Sequence, residues 1–136
     1  MNREPEDKIA LILQRDDRYD ADAYEFIGRA VEFAVSNRLG GGNDSRHVSA
    51  RELLEDIVVF AVREFGPFAE KVLRGWGITT SGDIGNIVYN MIRVKALSAD
   101  DRDSREDFDT GFDLFADLRK AGEPKSDTKV EVPVIA

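Results

Sequence analysis

Apolar residues recur at helical spacing along most of the chain. Ile9, Leu11, Ile12 and Leu13 fall within residues 6–15 and predict a short first helix. From about Ala21 to Asn37, Tyr24, Ile27, Val31, Ala34 and Val35 recur at steps of three and four and share one stripe. Phe26 and Phe33 widen that stripe, which predicts a deeply buried second helix. Asp20 or Asp22 can cap its first turn, and Gly40-Gly41-Gly42 stops it.

The third helix has the clearest start. Ser49-Ala50-Arg51-Glu52 is a capping box, in which Ser49 and Glu52 each satisfy the other's orphan backbone N–H. Val48 and Leu53 flank it as a hydrophobic staple. Leu54, Ile57, Val58, Ala61, Val62 and Phe65 form the apolar face that follows. Gly66-Pro67 ends the helix, because proline cannot continue the hydrogen-bond ladder, and Pro67 then suits the first position of a short fourth helix. Phe68, Ala69, Val72, Leu73 and Trp76 are its buried side. A cap at Thr80-Ser81-Gly82-Asp83 opens a fifth helix, carried by Ile84, Ile87, Val88, Met91 and Ile92 to about Leu97.

Beyond a charged connector, Ser104-Arg105-Glu106-Asp107 predicts a sixth helix bearing Phe108, Phe112, Phe115 and Leu118. The run FDTGFDLF also alternates apolar and polar, so a strand or an irregular turn through Gly111 competes with that helix. The last residues lose helical period and predict a flexible tail, with Val130–Ile135 suited to an edge strand. The expectation is an all-α fold: a compact bundle of five to six helices over residues 6–120, a helix-turn-helix-like centre, and a flexible tail over 121–136.

Composition narrows what such a bundle can do. The 136 residues suit one domain, and they contain no cysteine and one histidine. Disulfides, thiol nucleophiles, cysteinyl zinc sites and poly-histidine metal sites are thereby excluded. No apolar run approaches the roughly 18 residues of a spanning helix, and no apolar leader opens the chain, so a cytoplasmic protein without a membrane partner is expected. The net charge of -8 argues against a generic nucleic-acid coat. That charge is uneven: residues 67–97 hold four basic and two acidic groups, whereas residues 98–118 hold two basic and eight acidic. The acidic stretch around a mildly basic centre reads as a solvated face.

Tests for particular chemistry return little. An EF-hand loop started at Asp101 has Asp103 in place but meets Arg105, Glu106 and Phe112 where an oxygen ligand, a glycine and a glutamate are needed. Gly40-Gly41-Gly42-Asn43 lacks the lysine of a phosphate loop. Arg46 and His47 lie near Asp44, Ser45 and Ser49, but neighbours along a loop do not make a catalytic triad, so His47 reads as packing over a helix end or as solvated. No catalytic residue, cofactor or metal is expected, and an enzyme using carboxylates near Arg46, His47 and Trp76 is a weaker alternative. Trp76, between two glycines, reads as a plug at the junction of the third, fourth and fifth helices, or as a partner anchor.

Ser49–Leu97 has the order of a DNA-reading tri-helical unit, with residues 98–115 as a wing. Its outward candidates are Ser81, Gly82, Asp83, Asn86 and Asn90. Asparagine can pair with adenine, but Asp83 and an acidic wing would repel phosphate, which disfavours nucleic acid. Phe108, Phe112 and Phe115 in the acidic stretch suggest instead a patch for another protein or for a homodimer.

The runs AYEFIGRAVEFA, RHVSARELLEDIVVFAVREFGPFAEKVLRGWGI, DIGNIVYNMI and DSREDFDTGFDLF resemble a bacterial family of conserved hypothetical proteins restricted to Verrucomicrobia and Planctomycetes. The resemblance covers about residues 6–118 and implies one domain in a bacterial cytoplasm. It implies no activity, cofactor or catalytic residue. Members of that family tend to carry an acidic residue where Asn86 stands, which further weakens a nucleic-acid role for this helix face.

Overall fold

The capping box at Ser49 forms as its sequence requires. In the computed structural model, which describes residues 5–39, 48–98, 104–109 and 111–122, Ser49 Oγ accepts from the Glu52 amide at 3.1 Å and Glu52 Oε1 accepts from the Ser49 amide at 3.0 Å. Two donors that the first turn would leave orphaned are satisfied. Val48 packs against the core and Leu53 is buried, as the staple predicts.

Six α-helices are described: α1 (Pro5–Arg15), α2 (Ala21–Leu39), α3 (Ala50–Phe65), α4 (Ala69–Gly75), α5 (Ser81–Arg93) and α6 (Leu114–Gly122). Two 3-10 turns, Gly66–Phe68 and Arg105–Phe108, connect them, and no strand occurs among the described residues. The architecture is an all-α bundle. None of the described helices is long and apolar enough to cross a membrane. The Val130–Ile135 strand and most of the predicted tail lie outside the described residues, while Ala121 and Gly122 close α6.

α2 is the spine. Ala23, Tyr24, Ile27, Ala30 and Ala34 on its inner face have no exposed surface. α3 runs antiparallel to it, since Arg29 pairs with Glu64 at 3.0 Å and Arg38 with Asp56 at 2.6 Å. Asp56 is a buried carboxylate, and Arg38 holds both its oxygens, with a second bond of 3.1 Å. Without that fork its desolvation would be strongly unfavourable. The Phe60 ring meets Phe26 and Phe33 at centroid distances of 5.4 and 5.2 Å.

Pro67 opens a 3-10 turn, and α4 proper begins at Ala69. Trp76 closes α4 and packs on Phe26 and Phe65, at 5.5 and 5.7 Å between centroids. It therefore plugs the junction of α2, α3 and α4, a correction to the expected junction with α5. Its carbonyl accepts from the Asp20 amide at 3.1 Å, which ties the α1–α2 connector to the end of α4. Gly77 follows at φ 97°, and a Cβ there would overlap the Arg18 carbonyl, so this close approach requires glycine.

α5 stops at Arg93 rather than Leu97 because the chain enters a left-handed turn at Lys95, φ 63°. The Lys95 amide donates to the Ile92 carbonyl at 2.9 Å and the Ala96 amide to the Met91 carbonyl at 2.8 Å, the Schellman pattern with lysine in the usual glycine place. Lys8 Nζ donates to the Lys95 carbonyl at 3.1 Å and links α1 to this turn. The single sixth helix expected from Ser104 is instead two pieces, the 3-10 turn at Arg105–Phe108 and α6. Gly111, at φ 80°, lies in the irregular stretch between them. Phe108, Phe112 and Phe115 are all buried, so they are core rather than an exposed association patch. Their helix breaks so that Phe108 can cover α5 while Phe115 lies against the Arg74 guanidinium on α4, at 3.9 Å. The Arg51 guanidinium of α3 caps the Phe112 ring at 5.3 Å.

Candidate functional site

The α5 face expected to point outward points inward. Ser81, Gly82 and Asn90 are buried, and Asp83 and Asn86 are half-buried. Two elements cover this face: the connector between α1 and α2, and the 3-10 turn at Arg105–Phe108. Both are polar, and they meet α5 through two hydrogen-bonded clusters, one around Asn86 and one around Asn90.

The connector begins with Asp16. Its carboxylate takes a two-bonded fork from Arg18, Nε at 2.9 Å and Nη2 at 2.6 Å, and also accepts the Arg18 amide at 3.1 Å. Asn90 Nδ2 donates to Asp16 Oδ2 at 3.0 Å and to the Tyr24 hydroxyl at 3.1 Å, while its Oδ1 accepts from Arg93 at 2.8 Å. One turn earlier on α5, Asn86 Nδ2 donates to the Tyr19 hydroxyl at 2.8 Å, and that hydroxyl donates to Asp83 Oδ1 at 2.5 Å. Asp83 Oδ2 also accepts from the Thr79 and Thr80 amides, at 2.8 and 3.1 Å.

The 3-10 turn docks on the same residues. Arg105 Nε donates to Asn86 Oδ1 at 2.7 Å, Nη2 to the Gly82 carbonyl at 3.0 Å and Nη1 to Asp109 at 2.5 Å. Ser81 Oγ donates to the Phe108 carbonyl at 2.6 Å. Gly85 makes room for Phe108, since a Cβ at residue 85 would lie 2.7 Å from the Phe108 Cβ.

These bonds set the protonation of the site. The Arg18 guanidinium holds the Asp16 carboxyl well below the usual carboxylate range, outweighing the opposing effect of burial, with the Asn90 amide assisting. Burial alone would raise Asp83, but bonds from the Tyr19 hydroxyl and from Thr79 and Thr80 prevail and lower it. Burial pushes the Tyr19 hydroxyl up to about 12. Two carboxylates kept ionised and a phenol kept neutral are poorly matched to proton transfer near neutral pH, which works best with groups titrating in that range.

Beside the network lies an open cleft of about 460 Å³, lined by Arg15, Asp16, Asp17, Arg18, Asn86, Tyr89, Asn90, Arg93 and Arg105. Arg18 is committed to Asp16 and Arg105 to Asp109, whereas Arg15 and Arg93 meet no carboxylate among the described residues.

Of the predicted site residues, Asn86 and Asn90 are thus brought together with the cleft, and Trp76 and Phe112 pack elsewhere in the core. Arg46 and His47 lie outside the described residues. Sequence reasoning missed Asp16, Arg18, Tyr19 and Arg105. The connector DDRYD did place an aromatic among charges, a pattern that marks a buried ring with a polar rim. Comparison with protein-family models, with curated proteins and with solved structures finds no match to this chain in any of the three.

Proposed function

We propose that the chain is a non-enzymatic helical interaction domain, acting in a bacterial cytoplasm on a protein partner or a second copy of itself. The observation that carries this reading is the occupancy of α5: the amides of Asn86 and Asn90 and the carboxylate of Asp83 are bonded to other elements of the same chain. The two asparagine amides are thus not left over for base readout, and the ionised carboxylates supply no general acid. The expected kinship with a bacterial family lacking an assigned activity is compatible with this reading.

The surface supports a protein partner. Val35 and Val59 are 43% and 47% exposed, on helices whose antiparallel pairing sets Arg38 against Asp56 and Phe33 against Phe60. Light scattering of the wild type and Val59→Asp tests self-association, and cross-linking of both forms in the native cell tests a heterologous partner. Association or cross-links lost in the variant support the reading. Saturable binding of duplex DNA by the wild type, measured by fluorescence anisotropy, would favour the winged-helix alternative and overturn it.

A further inference from the structure

Building on the interaction-domain reading, we infer that its partner is a second copy of this chain, docked through α3 with the two α3 helices antiparallel across a two-fold axis at Val59. The outer side of α3 carries a single ridge. Arg51, Glu55, Val59 and Arg63 follow at steps of four, and all four are exposed. Val59, at 47% exposed, is the apolar middle of that ridge. Glu55 lies four residues before it and Arg63 four residues after, about 6 Å to either side along the helix. Reversing the helix about Val59 therefore sets each Glu55 level with Arg63 of the other copy. A parallel pairing would instead set Glu55 against Glu55 and Arg63 against Arg63.

Both groups have charge to offer. Arg63 lies over the Phe33 ring at 5.0 Å and meets no carboxylate among the described residues. Glu55 touches Arg38 at 3.2 Å and Arg51 at 3.5 Å, but Arg38 makes its shortest bond, 2.6 Å, to the buried Asp56 and also reaches Glu52 at 3.3 Å. α6 extends the same polarity. It runs parallel to α3, since Phe112, just before α6, lies under Arg51 at 5.3 Å and Arg119, near its end, bonds to Glu70 at 2.7 Å, beyond the end of α3. Asp113 therefore lies at the acidic end of the face and Lys120 at the basic end. At the first end four carboxylates, Glu52, Glu55, Asp56 and Asp113, stand with two arginines. At the second, Arg29 balances Glu64 and Arg74 balances Glu70, which leaves Arg63, Arg119 and Lys120 with Asp117. Helix dipoles, about half a charge at each helix end, reduce both excesses without reversing either sign. In an isologous pair each favourable contact occurs twice. Contact along one helix ridge is at the low end for specific interfaces, about 1,200 Å² or less in total, so association is expected to be micromolar or weaker and to fall with salt.

Sedimentation velocity of the full chain at low ionic strength, at concentrations up to about 1 mM, tests the pairing. The wild type is expected to dimerise as concentration rises. Glu55→Arg and Arg63→Glu are each expected to weaken the dimer at least about tenfold, because each sets like charges together twice. An equimolar mixture of the two variants is expected to dimerise again, since every opposed pair then regains opposite sign. Glu25→Arg, on α2 beside the groove next to α1, is expected to leave association unchanged. Circular dichroism checks the folding of each variant. Val59→Asp breaks no ion pair and gives an independent reading if a charge variant does not fold. A wild type that stays monomeric, charge variants that dimerise as well as the wild type, or a mixture no tighter than either variant alone overturns the pairing. A monomeric wild type that still cross-links to another protein through Val59 overturns only the self-pairing, whereas loss of the cross-links as well removes the interaction-domain reading with it.

Discussion

Alanine at residue 85 should destabilise this protein, against the ordinary helical preference. Gly85 lies inside α5 and is buried. In an unobstructed helix the change to alanine would stabilise by about 1 kcal/mol, because glycine has the greater backbone freedom to lose. Here the new methyl would meet Phe108 Cβ at 2.7 Å and Cγ at 2.9 Å. Those atoms are the root of the side chain, so a change of rotamer cannot clear them and the 3-10 turn must move. Overpacking of this kind costs roughly 1–3 kcal/mol. The displaced turn also strains the neutral bond from Ser81 to the Phe108 carbonyl at 2.6 Å, worth about 0.5–1.5 kcal/mol, and the charged one from Arg105 to Asn86 at 2.7 Å, worth about 1.5–3 kcal/mol. After the helical gain is subtracted, a net loss of about 1–3 kcal/mol remains. At roughly 3–5 °C per kcal/mol for a chain of this size, the melting temperature should fall by about 3–15 °C. Gly75→Ala is the control, since nothing lies within 4 Å of its added methyl. Thermal unfolding followed by circular dichroism compares the two. If Gly85→Ala melts as high as the wild type or higher, the packing of Phe108 on α5 is refuted.

Other expectations concern charge and backbone. Arg38→Met should cost about 3–5 kcal/mol in urea unfolding by leaving the buried Asp56 carboxylate without its fork, and Arg38→Met/Asp56→Leu should recover most of it. A neutral Arg38→Met would contradict the burial of that pair. Asp16 and Asp83 titrate lower in the fold than in the unfolded chain, near 3.9, so below about pH 4 the unfolded chain binds more protons and stability falls with pH. Urea midpoints should show a shallower acid loss in Asp83→Asn. Tyr19 is raised instead, to about 12. Stability should therefore fall as pH rises from about 10, where the unfolded phenol ionises, through the folded value. Lys95→Gly should raise the melting temperature, because the left-handed cost of about 1–2 kcal/mol exceeds the added freedom of the unfolded chain.

What was legible in the sequence was local. The Ser49–Glu52 box spans three positions, and both its partners are fixed by the helix they begin. Most of the stripe of α2 and the stop at Gly66-Pro67 are likewise written in neighbouring residues, although Val35, read as part of that stripe, is exposed. The inward turn of α5 was not legible, because Asn86 and Asn90 find Tyr19 and Asp16 at separations of 67 and 74 positions. On a helix viewed alone, an asparagine facing water and one facing a buried tyrosine look the same. The same limit explains Phe112: acidic neighbours suggested exposure, but Gly111 breaks the helix and lets the ring turn under Arg51. The end of α5 was misjudged because Lys95 adopts a conformation that favours glycine.

The central claim is that the 3-10 turn at Arg105–Phe108 covers α5 and takes its polar face out of use. Nuclear Overhauser contacts in the isotope-labelled protein test it most directly. The structure predicts strong contacts between the Gly85 α-protons and the Phe108 side chain, together with a slowly exchanging Ser81 hydroxyl bonded to the Phe108 carbonyl. Absence of those contacts, with Asn86 and Asn90 side-chain amides exchanging as freely as in an unfolded chain, would contradict it.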